Sequence, residues 1–419
     1  MTTIASAAAS LGPGPLTQAA LRQHIAPLFS RALAGDAARN EIYLANHSLG
    51  RPLDQTAEDI AGALDLWYTG MDNAWEDWIR AMDDYRAKVA RLIGRSRPDA
   101  VVPKTAAGQG FRAVMNALPH ECPTVVATTG EFDSIDFTLR TYARKNRARI
   151  KWVKPDEQGI FHAEDVIAQI GDVTDLVIVS HAIFATGQIV ENIDSIVSAA
   201  RAHNAEIVLD TYHTAGVMPI SVDDLGVDFA IGGNYKYTRG GPGACWLAIA
   251  DRHLREAGPS PAGSLSTLDT GWFAKNNTFA YERPETPELS AGGDAWLEST
   301  PPFLLPYQAE AGLELVEAIG LERLRDYNLK QQQTLASALR NHGIEPREIF
   351  PRGAFLLVPH PDAMTISKQL KQAGVNTDAR PCPSGTTAHI RLCPDICTTD
   401  EELERAAEIM ASILSPTSA

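Results

Sequence analysis

Cysteine is scarce in this chain. Five occur among 419 residues: Cys122, Cys245, Cys382, Cys393 and Cys397. The number is odd, the spacings are irregular and no Cys-x-x-Cys pair is present, which argues against a zinc ribbon or a disulfide framework and fits a reducing cytoplasm. Long apolar runs are also missing. No stretch approaches the ~20 residues that a bilayer crossing requires, so no membrane association is expected. The N-terminus, MTTIASAAASLGPGPLTQAA, lacks a basic n-region and a continuous apolar h-region, and does not read as a signal peptide. Positive charge is in deficit: 37 Lys and Arg stand against 52 Asp and Glu, a formal net charge of −15. With no basic run to follow a phosphate backbone, nucleic acid is not an expected partner, and the acidic balance serves solubility. Internal repeats are absent, and low complexity is confined to the Ala-rich start.

What is present is ordinary globular composition, 44% hydrophobic and 21% charged, over a length sufficient for two domains or one large domain with a smaller one appended. Residues 1–40 read as a loose Ala-rich arm followed by a helix, LTQAALRQHIAPLFSRAL. EIYLANHSLGRPL (41–53) reads as a short strand entering a turn. The next segment has helical periodicity interrupted near Gly70, which predicts two helices. From about residue 99, short β-rich runs (TVVATTG, RIKWVKP, DLVIVSHAIF, AEIVLDTY, DFAIGGNY) alternate with helical stretches. This pattern predicts a mainly parallel sheet covered on both faces, with ACWLAIA as a further strand. After about residue 300, long helical stretches and the strands AFLLVP and HIRLCP predict a small α+β unit.

The chemistry-bearing stretch is DTYHTAGVMPISVDDLGVDFAIGGNYKYTRGGPG (210–243). Asp210 closes one predicted strand and Lys236, flanked by two tyrosines, follows the next. In a parallel α/β sheet, ligands sit outside the carboxyl ends of strands. A carboxylate and a lysine reaching one crevice suit pyridoxal 5′-phosphate (PLP): the amine forms a Schiff base with its aldehyde, and the carboxylate keeps the pyridine nitrogen protonated. KTAAGQG (104–110) lies between a strand and a helix start. Its backbone N–H groups, at Ala106 and its neighbours, and the Thr105 hydroxyl are candidates to hold the phosphate. Tyr235 is a further phosphate donor, Phe132 a ring to stack on the pyridine, and Arg391 a bidentate partner for a substrate carboxylate. Taken singly, each has a plainer explanation. A lone lysine before glycines is usually a solvated loop residue, Asp210 a turn or cap, Gly-x-Gly a turn, Phe132 core, and Arg391 a surface ion pair. Their order along the chain is what raises the set above those explanations.

LDTYHTAG…LGVDFAIGGNYKYTRGGPG resembles the PLP-binding core of the class V aminotransferase group of fold-type-I enzymes, and within it the kynureninase family. YLANHSLGRP is similar to that family's N-terminal segment ending in Ser-Leu-Gly. Gly271-Trp272-Phe273 and STPP (299–302) stand where the family has Gly-Trp-Phe and Ser-Asn-Pro-Pro. The resemblance runs over roughly 41–412. It implies a PLP-dependent transferase-like α/β large domain plus a small α+β domain made by both chain ends, and a homodimer. It also implies Lys236 as the Schiff-base lysine, Asp210 as the pyridinium partner, His213 against the cofactor, and Tyr235, Thr105 and Trp272 at the phosphate, with Trp272 reaching across the dimer interface. Phe132 would stack on the ring, with Ser134 and Ser180 as nearby polar contacts and Arg391 on the α-carboxylate. His47 and Ser48, in the Ser-Leu-Gly segment, would face the substrate, His47 as a general acid or base.

The departures fall on the substrate side. Thr300, itself a candidate cofactor contact, replaces the family's Asn, His47 replaces an Asn, Ile135 follows Ser134 where Asp is expected, and YTGMDNAWEDW contains no His. These imply an L-amino acid other than kynurenine. The expected function is a kynureninase-like hydrolase or lyase cleaving a side-chain bond. Alternatives are an aminotransferase, a desulfurase or selenocysteine lyase, an epimerase, or a non-catalytic PLP-fold binding protein. No metal is expected. Cys382, in RPCPSG, lies only nine residues before Arg391 and reads as an unreactive loop thiol rather than a sulfur acceptor. Trp67, Tyr68, Trp75 and Trp78 read equally as a substrate mouth or a helix-packing face. The expected division is an N-terminal arm and helix (1–40), a PLP-binding large domain (41–300, with 41–98 as a helical entry segment contributing to the active site), and a small domain (301–419).

Overall fold

The structure is a computed structural model that describes residues 3–258, 265–385 and 387–414. In chain order its strands are β1 (Ile42–Tyr43), β2 (Val101–Lys104), β3 (Thr124–Thr128), β4 (Arg149–Val153), β5 (Leu176–Ser180), β6 (Glu206–Asp210), β7 (Phe229–Gly233), β8 (Cys245–Ile249), β9 (Leu356–His360), β10 (Val375–Asn376), β11 (Asp378–Pro381) and β12 (Ala388–Leu392). A seven-stranded sheet has the order β2-β8-β7-β6-β5-β3-β4. Its pairs are parallel from β4 through β7, while β8 runs antiparallel to both β7 and β2.

The side chains explain why this sheet is sandwiched. Val177, Val179, Ile207, Leu209 and Ala230 pack into one core with the helices Ala74–Leu92 and Ile193–Ala202. Their alternates Leu176, Ile178, Val208, Phe229 and Ile231 pack into another with the helices Ala107–Met115 and Asp133–Arg144. A period of two with apolar residues on both faces is what a doubly covered parallel sheet requires. The carboxyl ends of β2, β3, β5, β6 and β7 and the start of the reversed β8 therefore converge on one edge.

A third core joins the antiparallel sheet β11-β12-β9 to the helices Leu321–Asn341, Ala363–Gln372 and Asp400–Leu414. β1 belongs here: it pairs in parallel with β10, and Ala45 bridges Cys393. The sheet pairing thus sets Ile42–Ala45 beside segments from the C-terminal part of the chain. Two residues form too short a strand for periodicity to show which sheet they join. The arm is also not loose. Ile4–Ala9 is a helix capped by Thr3, and Ile4, Ala7 and Ala8 are buried in a cluster with Ala311 and Leu315. Small alanine side chains allow that close helix–helix contact. The two helices predicted around Gly70 are Gln55–Gly70 and Ala74–Leu92. No helix among the described residues is long and apolar enough to cross a membrane.

Candidate active site

A cavity of about 170 Å³ opens outside the converging strand ends. Asp210, Lys236, His213, Tyr235, Thr105, Ala106, Phe132, Ser134 and Ser180 all line it. Lys236 lies under three rings, with Nζ 4.7 Å from the Tyr212 centroid, 5.4 Å from Phe132 and 5.5 Å from Tyr235. This is the reason for the flanking tyrosine: it helps remove water from the amine. Burial pulls Lys236 down to about 7, against the nearby Asp210 charge, which raises it. Burial pushes Asp210 up to about 6, opposed by the Tyr212 amide donating to Oδ1 at 2.9 Å and by Lys236.

His213 links the lysine to the second tyrosine of the motif. Nε2 is 2.7 Å from Lys236 Nζ, and Nδ1 is 3.0 Å from the Tyr237 hydroxyl. Burial, with Lys236 and Arg391 close by, holds the imidazole well below its ordinary value, so it is neutral. With the lysine donating to Nε2, the ring takes the Nδ1–H tautomer and donates to Tyr237. The glycines before the lysine are places of close approach. A Cβ on Gly232 would lie 2.2 Å from Trp246 Cζ2, and one on Gly233 would lie 2.2 Å from the Tyr212 hydroxyl.

At the opposite wall, Ala106, Ala107 and Gly108 begin the nine-residue helix Ala107–Met115, whose first amides carry the helix's positive end. Thr105 lines the same wall but is engaged: its amide and hydroxyl both donate to Gln109 Oε1, at 2.9 and 3.0 Å. Its hydroxyl would meet an anion by exchanging this partner. Gln109 is in turn held by Glu298, which also pairs with Lys104. Phe132 packs edge-on against Phe184 at 5.3 Å. Ser180 Oγ donates to Glu131 Oε2 at 2.7 Å, and Thr128 donates to Oε1 at 2.6 Å. Burial pushes the Glu131 carboxyl up to about 7, the two hydroxyls lower it, and the Asp210 charge raises it.

Five expected residues do not line this cavity: His47, Ser48, Arg391, Trp272 and Thr300. The first three gather at Asp378. Asp378 Oδ1 accepts from His47 Nε2 at 2.7 Å and from Arg391 Nε at 2.8 Å. Oδ2 accepts from Arg391 Nη2 and, at 3.3 Å, from Ser48 Oγ. Arg391 Nη1 donates to the carbonyl oxygen of Phe184, a residue of the cavity wall. Arg391 is thus tied to the wall but is not a bare fork awaiting a carboxylate. His47 is pulled down to about 4 by burial and by Arg391, against Asp378. It is neutral near pH 7 and so does not serve there as a general acid, which corrects half of the expected role. The segment reaches the lysine through its glycine: Gly50 N donates to Tyr235 O at 2.8 Å, and a Cβ on Gly50 would lie 2.0 Å from Lys236 O.

Trp272 and Thr300 pair with each other, Nε1 donating to Oγ1 at 3.1 Å, away from this chain's own cavity. Trp75 and Trp78 pack against Phe303, and Trp75 also against Trp272 and Phe273, so these two form a packing face, while Trp67 and Tyr68 are exposed. Cys382 is buried outside the cavity, accepting from Ser384 Oγ at 3.1 Å and facing Gly159. Among the described residues, Glu206, Asp228 and His253 gather metal-type ligand atoms, but the Arg252 guanidinium already bonds both carboxylates.

The donor set fits PLP: a buried lysine near neutrality, a carboxylate on the neighbouring strand end, an aromatic wall and a helix N-terminus share one cavity. The profile of the family described as aminotransferase class-V matches residues 67–347.

The chain belongs to the aminotransferase class-V family. It is a PLP-dependent, fold-type-I enzyme of that family and kynureninase-like in sequence. The kynureninase of Geobacillus thermodenitrificans is 27% identical over 398 residues, covering 90% of this chain and 89% of that one. The kynureninase of Salinispora tropica is 28% identical over 366 residues, covering 81% and 83%. Among solved structures, the apo cysteine desulfurase of Thermococcus onnurineus NA1 superposes with a TM-score of 0.74 at 18% identity, covering 89% of this chain and 94% of that one. A C-DES mutant with glycine covalently linked to its PLP cofactor gives 0.77 at 18%, covering 89% and 96%. At such identities the structural likeness is one of fold.

Sequence reasoning missed Glu131, Asp378 and the Tyr237 hydroxyl as parts of the site. Asp378 had a readable signal only once β11 and β12 were paired, because it stands directly opposite Arg391 in their register. Glu131 sits one residue before Phe132 in GEFDS, where a carboxylate beside a turn looks solvated. Only the packing of β3 against β5 buries it.

Proposed function

We propose that this protein is a PLP-dependent hydrolase or lyase that cleaves a side-chain bond of an L-amino acid other than kynurenine. The observation that carries the reading is the shared burial of Lys236 and Asp210 in one cavity, bounded by the Ala107–Met115 helix start and tied to Arg391 through Phe184. The roles of the site residues follow from their positions. The first amides of that helix and the Tyr235 hydroxyl would hold the phosphate, Asp210 the pyridine nitrogen, Phe132 the ring, and Arg391 the α-carboxylate. When bound, the cofactor supplies an aldehyde for amine exchange and an electron-accepting ring.

The remaining work falls to the chain. Lys236, depressed to about 7, offers a neutral Nζ that takes and returns the proton at the substrate Cα. His213 accepts from Nζ and passes its orientation to the Tyr237 hydroxyl, which keeps the amine aimed into the cavity. The rings around Nζ exclude water from that proton transfer. The Nδ1 of His47 is buried and without a partner, so it is available as an acceptor.

Thr300, bonded to Trp272, and the absence of a histidine between the two early helices support a substrate other than kynurenine. A homodimer in the cytoplasm belongs to the same proposal. It is supported by exposed Tyr68 (80%) and Tyr281 (72%) and by a Trp272–Thr300 pair lying off this chain's own cavity. A desulfurase-like reaction draws no support from Cys382, whose sulfur is buried outside the cavity.

The test is the absorbance spectrum of purified wild-type and Lys236→Ala protein, followed by titration with a panel of amino acids that includes kynurenine. A visible band that borohydride removes in wild type, and a spectral shift with one amino acid, are expected. Release of alanine or of an elimination product supports the reading. A keto acid that keeps the whole side chain, formed without release of ammonia, or the inverted amino acid, sinks it in favour of an aminotransferase or an epimerase.

A further inference from the structure

Arg391 is almost completely buried, and a desolvated guanidinium is costly unless a charge and well-made hydrogen bonds accompany it. Asp378 supplies both. The two residues face each other across the antiparallel pair β11–β12, so the sheet register itself sets the carboxylate against the guanidinium. The contact uses one edge of the planar group, Nε and Nη2. Nη1 is held from another side by Phe184 O. Of the five N–H bonds of the guanidinium, three are taken, and one remains on each Nη nitrogen. The same carboxylate takes the Nε2–H of His47, which fixes that ring's tautomer and leaves Nδ1 as a buried, unpartnered acceptor. Ser48 Oγ at 3.3 Å and Arg380 Nη2 at 3.3 Å complete the contacts of Asp378.

We infer that Asp378 is the positioning residue of the substrate site: by gripping Arg391 along one edge and His47 through Nε2, it presents the two free Nη N–H bonds to the α-carboxylate of an L-amino acid. The inference rests on the function proposed above. Arg391 ties the cavity wall at Phe184 to Asp378 of the small unit, so it cannot swing away from both without breaking three charge-assisted bonds. The arrangement also distinguishes Asp378 from a competitor for Arg391. A competitor would occupy the edge that the substrate needs, whereas Asp378 leaves one donor on each Nη.

The probe is L-alanine, the three-carbon amino-acid core, titrated into the PLP-loaded protein and followed by the shift of the visible band. L-alaninamide, which lacks the carboxylate, is titrated in parallel. Asp378→Asn, which keeps the shape and removes the charge, is expected to weaken L-alanine binding about tenfold to a hundredfold, as loss of a charge-assisted contact does. L-alaninamide binding and the borohydride-sensitive band should be unchanged. Asp378→Glu, which restores the charge, should recover part of the L-alanine affinity. Tighter L-alanine binding by Asp378→Asn would show a competing carboxylate and overturn the inference. Unchanged L-alanine binding would overturn it too, and equal weakening of both probes would reduce Asp378 to a structural role. If the wild type itself binds neither probe, the proposed function fails first and the inference falls with it.

Discussion

Raising the pH through the range in which Lys236 loses its proton perturbs the site without changing a residue. Burial holds this amine at about 7. An ordinary lysine titrates about three units higher, so at about pH 7.5 roughly three-quarters of Lys236 is neutral, against about 0.1% of a solvated lysine. By about pH 10.5 the two fractions differ only about twofold. The assay is the rate at which apoprotein captures PLP, read from the visible band and confirmed by borohydride trapping at Lys236. The same rate is measured with Nα-acetyl-lysine at each pH, so that the cofactor's own ionisations cancel. The ratio of the two rates should fall roughly 400-fold between about pH 7.5 and about pH 10.5. Asp210→Asn removes a charge that raises Lys236, so its protein rate should reach a plateau at lower pH than wild type. A ratio constant across the range would mean that Lys236 titrates as a solvated amine, and the argument from its burial would be wrong. The sign also bears on stability. A lysine whose folded value is depressed binds fewer protons than in the unfolded chain, so apoprotein stability should rise with pH from about 7 toward the ordinary lysine value.

Other perturbations reach different parts of the site. Glu131, raised to about 7 when folded, carries a burial penalty above that value that fades as pH falls toward the ordinary carboxylate range. Glu131→Gln should therefore raise the thermal midpoint relative to wild type more at about pH 8 than at about pH 5, and an equal difference at both would contradict it. Gly50→Ala places a Cβ against Lys236 O, and overpacking there should cost ~1–3 kcal/mol in denaturant unfolding. An unchanged midpoint would show that the segment moves aside freely. Cys382→Ser should leave product formation intact, because the thiol lies outside the cavity; its loss would favour sulfur transfer.

The site was legible to different depths in different places. Asp210 and Lys236 could be placed because each closes or follows an apolar run, and the alternation of such runs with helices already implied strands whose carboxyl ends share an edge. DFAIGGNY reads as a strand in the sequence, but not why that strand closes on two glycines: Gly232 and Gly233 make room for Trp246 and Tyr212, contacts between distant segments that no local pattern reveals. His47 was singled out by its place before Ser-Leu-Gly. Its neutral state is set by burial and by Arg391, and its ring is held by a carboxylate 331 residues away.

By itself, then, the sequence determined the parallel sheet, the family and the lysine–aspartate pair, because periodicity and short motifs are local properties that survive in one dimension. Tertiary structure alone decided that β1 joins the C-terminal unit, that Thr105 is engaged by Gln109, and that Arg391 and His47 converge on Asp378. Those outcomes rest on burial and on pairing between distant strands. Hydrogen-bond partners and proton affinities are set by which groups water can no longer reach, and that is known only once the chain has closed around them.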